Sequence, residues 1–375
     1  MSSMKMNKNT DAFLALLRAG LWEKEVSLSQ YGGIDFAEAY RLAEEQSVVG
    51  LVAAGVEHVT NVRVPQQEVL TFVGNALRLE RRNLDMNDFL SDLIERLRRV
   101  GVYTLLVKGQ GIAQCYERPL WRASGDIDLF LSADNYVKTK NYLLPLGVAT
   151  QPEEKDKRHF AMSIGQWAVE LHGTLHGGLS ARVDRVLDEV MNDVFYGGDV
   201  RSWMNGKTQV FLPGVNCDVI YVFSHLLQHF FKGGIGLRQI CDWCRFLWVY
   251  RDSIDKKLLE QRLRKMRIMS EWHAFGAFAV EYLGMPVDAM PLYSDKCCWK
   301  RKARKVCRFV IKVGNFGHNR DMSYYGKKTY LVRKSITAWR RIKDLFRHIG
   351  IFPIDSIRFF WGIMYYGLVS TLKGE

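Results

Sequence analysis

Two aspartates separated by a single residue, Asp126 and Asp128, stand inside an apolar run of the chain. Because successive side chains of a β-strand point to opposite faces, residues i and i+2 share one face. The two carboxylates would therefore project together, while Ile127 and Leu129 turn into the core. Carboxylate oxygens are hard ligands that suit Mg²⁺, which is commonly bound by one or two carboxylates together with substrate phosphates. The spacing therefore predicts a Mg²⁺ site on one face of a strand.

A third acidic residue, Glu170, follows about 40 residues later in a stretch that alternates apolar and polar residues. Val169 and Leu171 flank it, so its side chain faces opposite to theirs. Two metal ions about 3.5–4 Å apart can hold both the attacking and the leaving oxygens of an in-line phosphoryl displacement. We predict that such a two-metal site, suited to nucleotidyl transfer, is formed by Asp126, Asp128 and Glu170.

A turn that can hold phosphates precedes the two aspartates. The apolar, β-branched run 102–107 predicts a strand that ends at Lys108, Gly109 and Gln110, where a short helix is expected to begin. A helix N-terminus offers backbone N–H groups to an anion. Lys108 would add a point charge, and glycine at position 109 lets the backbone approach the phosphates closely. This turn is therefore predicted to bind the triphosphate of a nucleoside triphosphate.

Three further polar residues complete the predicted nucleotide-binding set: Arg122, Ser124 and His172. Arg122 either binds the triphosphate or neutralises Asp126, and the sequence favours neither role. His172 either orients the substrate or is an ordinary half-buried histidine.

The spacing of apolar residues divides the chain into four predicted regions. Residues 1–100 are helical, 101–180 alternate between strands and helices, 181–295 return to helical spacing, and 296–375 form a basic, aromatic helical region. The predicted fold class is therefore α+β, with a small mixed β-sheet core between N-terminal and C-terminal helical regions.

The excess positive charge is confined to the last of these regions. Residues 296–375 contain 19 of the 53 lysines and arginines and 4 of the 40 acidic residues, a net charge of +15, whereas the preceding residues carry a net −2. A basic segment rich in aromatic residues suits nucleic acid or an anionic membrane surface. It is equally typical of a helical region with a solvated basic face and an aromatic core.

The seven cysteines form no regular framework, and the N-terminal residues have no apolar segment typical of a secretory signal. Both features favour a reducing, cytoplasmic setting, peripheral to a membrane if the basic region binds lipid. No apolar run reaches the ~18 residues needed to span a bilayer. One alternative metal site has to be considered, since a helical turn separates the members of two pairs of zinc-ligand types, His225 and His229, and Cys241 and Cys244.

Over roughly residues 100–250 the chain resembles the nucleotidyltransferases of the DNA polymerase β-like superfamily. More narrowly, it resembles a largely uncharacterised bacterial nucleotidyltransferase family. The residues that carry the resemblance are Lys108-Gly109, Arg122, Asp126-Ile127-Asp128 and Glu170-Leu171-His172, followed by His229 and an Arg-x-x-x-Asp element at Arg238 and Asp242. The i, i+4 spacing of that last pair is also typical of two residues on a helix surface.

The resemblance implies a polymerase β-like core that transfers a nucleoside monophosphate from a nucleoside triphosphate in a Mg²⁺-dependent reaction. The acceptor is left open, as a protein, an RNA, a small molecule or a sugar phosphate. A rival hypothesis is a catalytically idle module of the same fold that binds nucleic acid or an anionic membrane through residues 296–375. A zinc-dependent hydrolase that uses His225, His229 and the two cysteines is a third hypothesis.

Overall fold

The structure, a computed structural model, describes residues 7–154, 158–317, 319 and 330–372. The parts of the predicted helical regions at 1–6, 318, 320–329 and 373–375, and residues 155–157 of the predicted core, lie outside the described residues.

Four helices precede the sheet: α1 (Lys8–Trp22), α2 (Phe36–Glu45), α3 (Val49–Glu57) and α4 (Gln66–Arg99). The N-terminus of α2 is set by Asp35, whose carboxylate accepts a hydrogen bond of 3.0 Å from the Glu38 N–H. Helix α4 is 34 residues long and buries apolar side chains at helical spacing along one face. This face packs against the side of the sheet to which Ile127 and Leu129 point.

Seven strands form one mixed sheet in the order β3-β4-β5-β2-β1-β7-β6. Their bounds are β1 (Leu105–Val107), β2 (Asp126–Phe130), β3 (Ala149–Thr150), β4 (His159–Ile164), β5 (Trp167–His172), β6 (Val200–Asn205) and β7 (Thr208–Pro213). The central strand β2 pairs antiparallel with β1 and parallel with β5. Two short helices, α5 (Gly109–Ala113) and α6 (Ala133–Leu143), connect strands within the sheet.

The two faces of β2 have different surroundings. Ile127 and Leu129 are fully buried and belong to a hydrophobic cluster with α4 residues such as Leu90 and Leu97. The alternate residue Phe130 is buried in a separate, larger cluster that contains the helices of the second half of the chain. The aspartates share the face of Phe130, because strand residues two apart point the same way.

The hairpin of β6 and β7 was not predicted, since residues 181–295 show mainly helical spacing. Strand β7 pairs in parallel with β1 through Leu105 and Phe211, so the hairpin extends the sheet beyond β1. Every second residue of β6 is exposed, which leaves this strand with too weak an apolar signal to be recognised. The place of the hairpin depends on the pairing of β7 with β1, about 100 residues earlier in the chain. Local spacing carries no information on that pairing.

Apart from this hairpin, the elements described after β5 are helices, which contribute most of the larger hydrophobic cluster that contains Phe130. They are α7 (Ala181–Phe195), α8 (Val215–Lys232), α9 (Leu237–Val249), α10 (Lys256–Met266), α11 (Met269–Leu283), α12 (Cys297–Val313), α13 (Tyr330–Ile349) and α14 (Pro353–Leu372). The basic region joins the body of the protein through aromatic contacts, with the Phe230 ring 5.0 Å from Phe309 and 5.9 Å from Phe352. None of the described helices combines the length and the apolar character needed to cross a membrane.

The predicted α+β class, with one mixed sheet between helical regions, is confirmed. The apolar spacing of the sequence predicts strands at 126–131, 159–164 and 166–172, and the structure has β2, β4 and β5 within one residue of these bounds. The division into four regions remains a prediction.

Candidate active site

A cleft of about 270 Å³ opens on the face of the sheet away from α4. Its floor comes from the ends of β1, β2, β4 and β5, and its walls come from α8 and α9. Seven of the predicted site residues line it: Lys108, Gly109, Arg122, Asp126, Asp128, Glu170 and His172. Gln110 and Ser124 are buried and are not among the lining residues.

The sheet register brings the three acidic residues together. Asp128 on β2 lies beside Glu170 on the parallel strand β5, and Asp126 precedes Asp128 by two residues on the same face. One ligand oxygen from each carboxylate lies within 4.8 Å of the others. Three acids that are distant in sequence thus form one cluster, in which every oxygen is a hard ligand of the kind preferred by Mg²⁺.

The ammonium group of Lys108 lies against this acidic cluster. Its Nζ is 2.8 Å from Asp128 Oδ1 and 3.3 Å from His225 Nε2, and it sits 5.9 Å from the centre of the Tyr221 ring. The position follows from the register, since Val107 pairs with Asp128 and Lys108 is the next residue. The backbone turns sharply there, with φ of +59° at Lys108 and +39° at Gly109, and glycine tolerates such values without a Cβ penalty.

The two aspartates differ in charge state because their neighbours differ. The adjacent Asp128 carboxylate, helped by burial, raises the pKa of Asp126 to about 6. Burial also opposes ionisation of Asp128, but the Lys108 ammonium and the hydrogen bond from His172 hold the pKa of Asp128 below its usual value. Asp128 is therefore the more readily ionised member of the pair. The repulsion between the two carboxylates shows as the raised pKa of Asp126.

Two histidines complete the row of polar side chains across β2, β5 and β4. His172 Nε2 lies 2.7 Å from Asp128 Oδ1 and 3.6 Å from Glu170 Oε2. His159 Nε2 lies 3.0 Å from the same Glu170 oxygen. Burial tends to lower the pKa of His159, but its contacts with Glu154 and Glu170 raise that pKa to about 9. The sequence offered no signal for His159, which reaches the site because β4 pairs with β5 opposite His172.

Arg122 makes a bidentate ion pair with Asp242 on α9. Its Nε lies 3.0 Å from Asp242 Oδ1 and its Nη2 2.6 Å from Oδ2, while Nη1 donates to Ser124 Oγ at 3.1 Å. The Tyr116 hydroxyl donates to the same Asp242 carboxylate at 2.8 Å. The spacing of Arg238 and Asp242 is also typical of a pair on an exposed helix surface. The structure instead buries Asp242 against Arg122.

We expect Arg122→Met to lower the free energy of unfolding by about 3–5 kcal/mol, because it leaves the Asp242 carboxylate buried without its cation. Chemical denaturation measures the change. The double variant Arg122→Met/Asp242→Leu is the control, and it should recover much of the lost stability because no lone charge remains. An Arg122→Met protein that is as stable as the wild type, but binds nucleotide poorly, would show that Arg122 acts on the ligand instead.

The zinc-ligand types of α8 and α9 do not meet. His225 and His229 line the cleft, with their Nε2 atoms 3.1 Å apart, but Cys241 and Cys244 are fully buried in the hydrophobic core. Among the described residues, neither of the two groups of converging metal ligands contains a cysteine. The alternative site with two histidines and two cysteines is therefore wrong. Burial, together with the nearby Lys108 ammonium, keeps the pKa of His225 well below its usual value.

Several residues of the cleft carry no signal in the sequence. Tyr221, Val222 and Gln228 belong to α8 and line the cleft, yet their spacing is that of any amphipathic helix. They are positioned by the packing of α8 over the sheet, which depends on contacts distant in sequence.

The cleft lies within the part of the chain that matches a known protein family. Residues 32–284 match the family described as uncharacterised nucleotidyltransferase. The match covers more than half of the chain and includes all seven strands and the helices that form the cleft. No curated protein and no solved structure gives a significant match. The chain belongs to this family of uncharacterised nucleotidyltransferases.

Proposed function

We propose that the protein transfers a nucleoside monophosphate from a nucleoside triphosphate to a hydroxyl group of an acceptor, with pyrophosphate as the leaving group. The observation that carries the proposal is the convergence of Asp126, Asp128 and Glu170 on one face of two neighbouring strands, inside a cleft. The family match supports the reaction class. The mixed sheet, with its acids on adjacent strands, supports membership of the polymerase β-like superfamily. A bacterial origin remains a prediction.

The carboxylate cluster fits Mg²⁺ by the chemistry of its donors. Three carboxylates share a partly buried site, and in the protein alone a buried ammonium, that of Lys108, neutralises part of their charge. This arrangement indicates a site built around positive charge. When bound, Mg²⁺ polarises phosphoryl oxygens and lowers the pKa of an attacking hydroxyl. Asp126, Asp128 and Glu170 would hold it.

The remaining residues of the cleft suit a polyanion. Lys108 and Arg238 both line the cleft, both act electrostatically on Asp126, and would supply positive charge for a triphosphate. Glu170, held by His159 at 3.0 Å, is the carboxylate proposed to assist deprotonation of the acceptor hydroxyl. Gln110 would bind the triphosphate through its backbone N–H group, because its side chain is buried and does not line the cleft.

The first test is incubation of the protein with Mg²⁺, each labelled nucleoside triphosphate and a cell extract. The outcome expected is label on one fraction, which identifies the acceptor as protein, RNA, small molecule or sugar phosphate. Thermal unfolding with Mg²⁺ and each triphosphate is the parallel measurement, since a ligand at 100 times its dissociation constant adds about 2.7 kcal/mol of stability. If no fraction takes up label and none of the four nucleotides stabilises the protein, the proposal is refuted.

One observation favours the catalytically idle alternative. The ion pair of Lys108 with Asp128 neutralises one carboxylate without a metal ion, which would allow the cluster to persist in a protein without catalytic activity. Such a module would act through its C-terminal region, where Trp339, Phe346 and Trp361 are exposed beside basic side chains such as Lys343. Contact of this surface with nucleic acid or an anionic membrane, and a cytoplasmic location, remain predictions. Nucleotide-dependent stabilisation separates the two functions.

A further inference from the structure

A second group of metal-ligating side chains lies beside the three carboxylates. His159 on β4 stands opposite His172 on β5, and Glu170 precedes His172 by two residues on the same face. One ligand atom from each of the three lies within 4.8 Å of the other two. Glu170 belongs to both groups, so the row of ligands continues from the acids of β2 to the imidazoles of β5 and β4.

The distances in this group are those of ligands that share one ion. His159 Nε2 and His172 Nε2 lie 3.0 Å and 3.6 Å from the same oxygen, Glu170 Oε2. Two atoms that bind one ion at about 2.0–2.2 Å are separated by about 3–3.5 Å. His159 and Glu170 therefore need little rearrangement to close on a cation, whereas His172 Nε2 exchanges its 2.7 Å contact with Asp128 Oδ1 for the ion.

His159 also has the partner expected of a metal-ligating histidine. Its Nε2 faces Glu170, and its other ring nitrogen, Nδ1, lies 3.7 Å from Glu154 Oε1. Histidines that bind metal almost always present the second ring nitrogen to a carboxylate or a carbonyl group, which fixes the orientation of the ring. Glu154 lines the same cleft and lies on this side of the ring, within ion-pair distance.

We propose that His159, His172 and Glu170 bind a divalent first-row transition metal ion next to the Mg²⁺ site, with Glu170 shared between the two ions. Imidazole nitrogens suit metals such as zinc, iron and nickel, whereas an all-oxygen set suits Mg²⁺. The site of this family member would then combine one hard and one nitrogen-containing subsite. The inference rests on the proposed function only in treating Glu170 as a ligand of the catalytic metal.

The test uses Mn²⁺ alone, without nucleotide, because Mn²⁺ accepts both oxygen and nitrogen ligands and is paramagnetic. Pulsed electron paramagnetic resonance of the wild-type protein should show coupling to imidazole nitrogen. His159→Gln keeps a polar side chain beside Glu170, and should weaken Mn²⁺ binding at least about tenfold, the scale on which partners of metal ligands act. The nitrogen coupling should fall with it.

His176→Gln is the matched control. His176 lines the same cleft and pairs with Asp188 at 2.7 Å, but it belongs to neither group of converging ligands, so this variant should keep both the affinity and the coupling. Absence of nitrogen coupling in the wild type, or an equal loss in both variants, would overturn the proposal. Asp126→Asn should retain the coupling even where transfer is lost, so failure of this site is distinguishable from failure of the proposed reaction.

Discussion

Asp126→Asn is expected to abolish nucleotide transfer and at the same time to stabilise the metal-free protein. The loss of activity should exceed about 100-fold, because removal of even a second-layer partner of a metal ligand costs 10–100-fold. Stability should rise because the Asp128 carboxylate repels that of Asp126 and raises its pKa to about 6. The shift of this pKa from 3.8 means that ionised Asp126 destabilises the folded protein by on the order of 1–3 kcal/mol at neutral pH, and the asparagine variant removes this cost. Transfer assays and denaturation in a chelator measure the two effects.

The pH dependence of this stabilisation follows from the sign of the shift. The folded wild-type protein has the raised pKa, so the repulsion is fully present above about pH 6 and is relieved as pH falls towards the unfolded value of 3.8. The advantage of Asp126→Asn should therefore be largest at neutral pH and vanish in acid. Asp128→Asn is the contrasting variant, and it should destabilise the protein because the Lys108 ammonium loses its partner. Equal stability changes in the two variants would contradict the assigned charge states.

Lys108→Met should destabilise the metal-free protein and make its stability depend on Mg²⁺. Removing one partner of a buried ion pair costs about 3–5 kcal/mol, and here it leaves Asp128, which is 2% exposed, without its cation. Mg²⁺ should restore the loss, so the increase in melting temperature on adding Mg²⁺ should be larger than in the wild type. Transfer should fall by about 10²–10³, the usual effect of losing one electrostatic donor to the transition state.

Lys108→Arg is the control for this variant, because it keeps the charge and the same unbranched Cβ at a position with φ of +59°. It should stay stable without metal. If Lys108→Met is as stable as the wild type and gains nothing from Mg²⁺, then the lysine does not share the carboxylates with a metal. If the wild type binds no Mg²⁺ whereas Lys108→Met does, the lysine replaces the metal and the idle alternative holds.

The local part of the site could be predicted from the sequence. The placement of Asp126 and Asp128 on one face needs only strand alternation, and the same rule orients Glu170. Their mutual approach needs in addition that β2 and β5 are neighbours in register, a pairing that the structure shows and that strand alternation alone does not predict. The shared site was expected because acids inside a strand are otherwise costly, and Asp126, Asp128 and Glu170 all lie in apolar stretches.

The partners of these residues could not be predicted in the same way. His159 reaches Glu170 through the register of a hairpin, Asp242 reaches Arg122 across 120 residues, and His225 reaches Lys108 across 117 residues. Each contact depends on how a helix or a strand docks, and no local spacing encodes docking. Residue type alone left the role of Arg122 open for this reason, and geometry then gave it a partner from α9.

The hairpin of β6 and β7 has a consequence for synthesis of the chain on the ribosome. Strand β1 pairs with β2 on one side and with β7 on the other, yet β7 is made about 100 residues after β1. Until residues 208–213 have left the exit tunnel, the nascent sheet therefore presents β1 as an open edge able to pair with another chain. A shortened polypeptide that stops at residue 180 would keep all three acids and that open edge, and we expect it to aggregate.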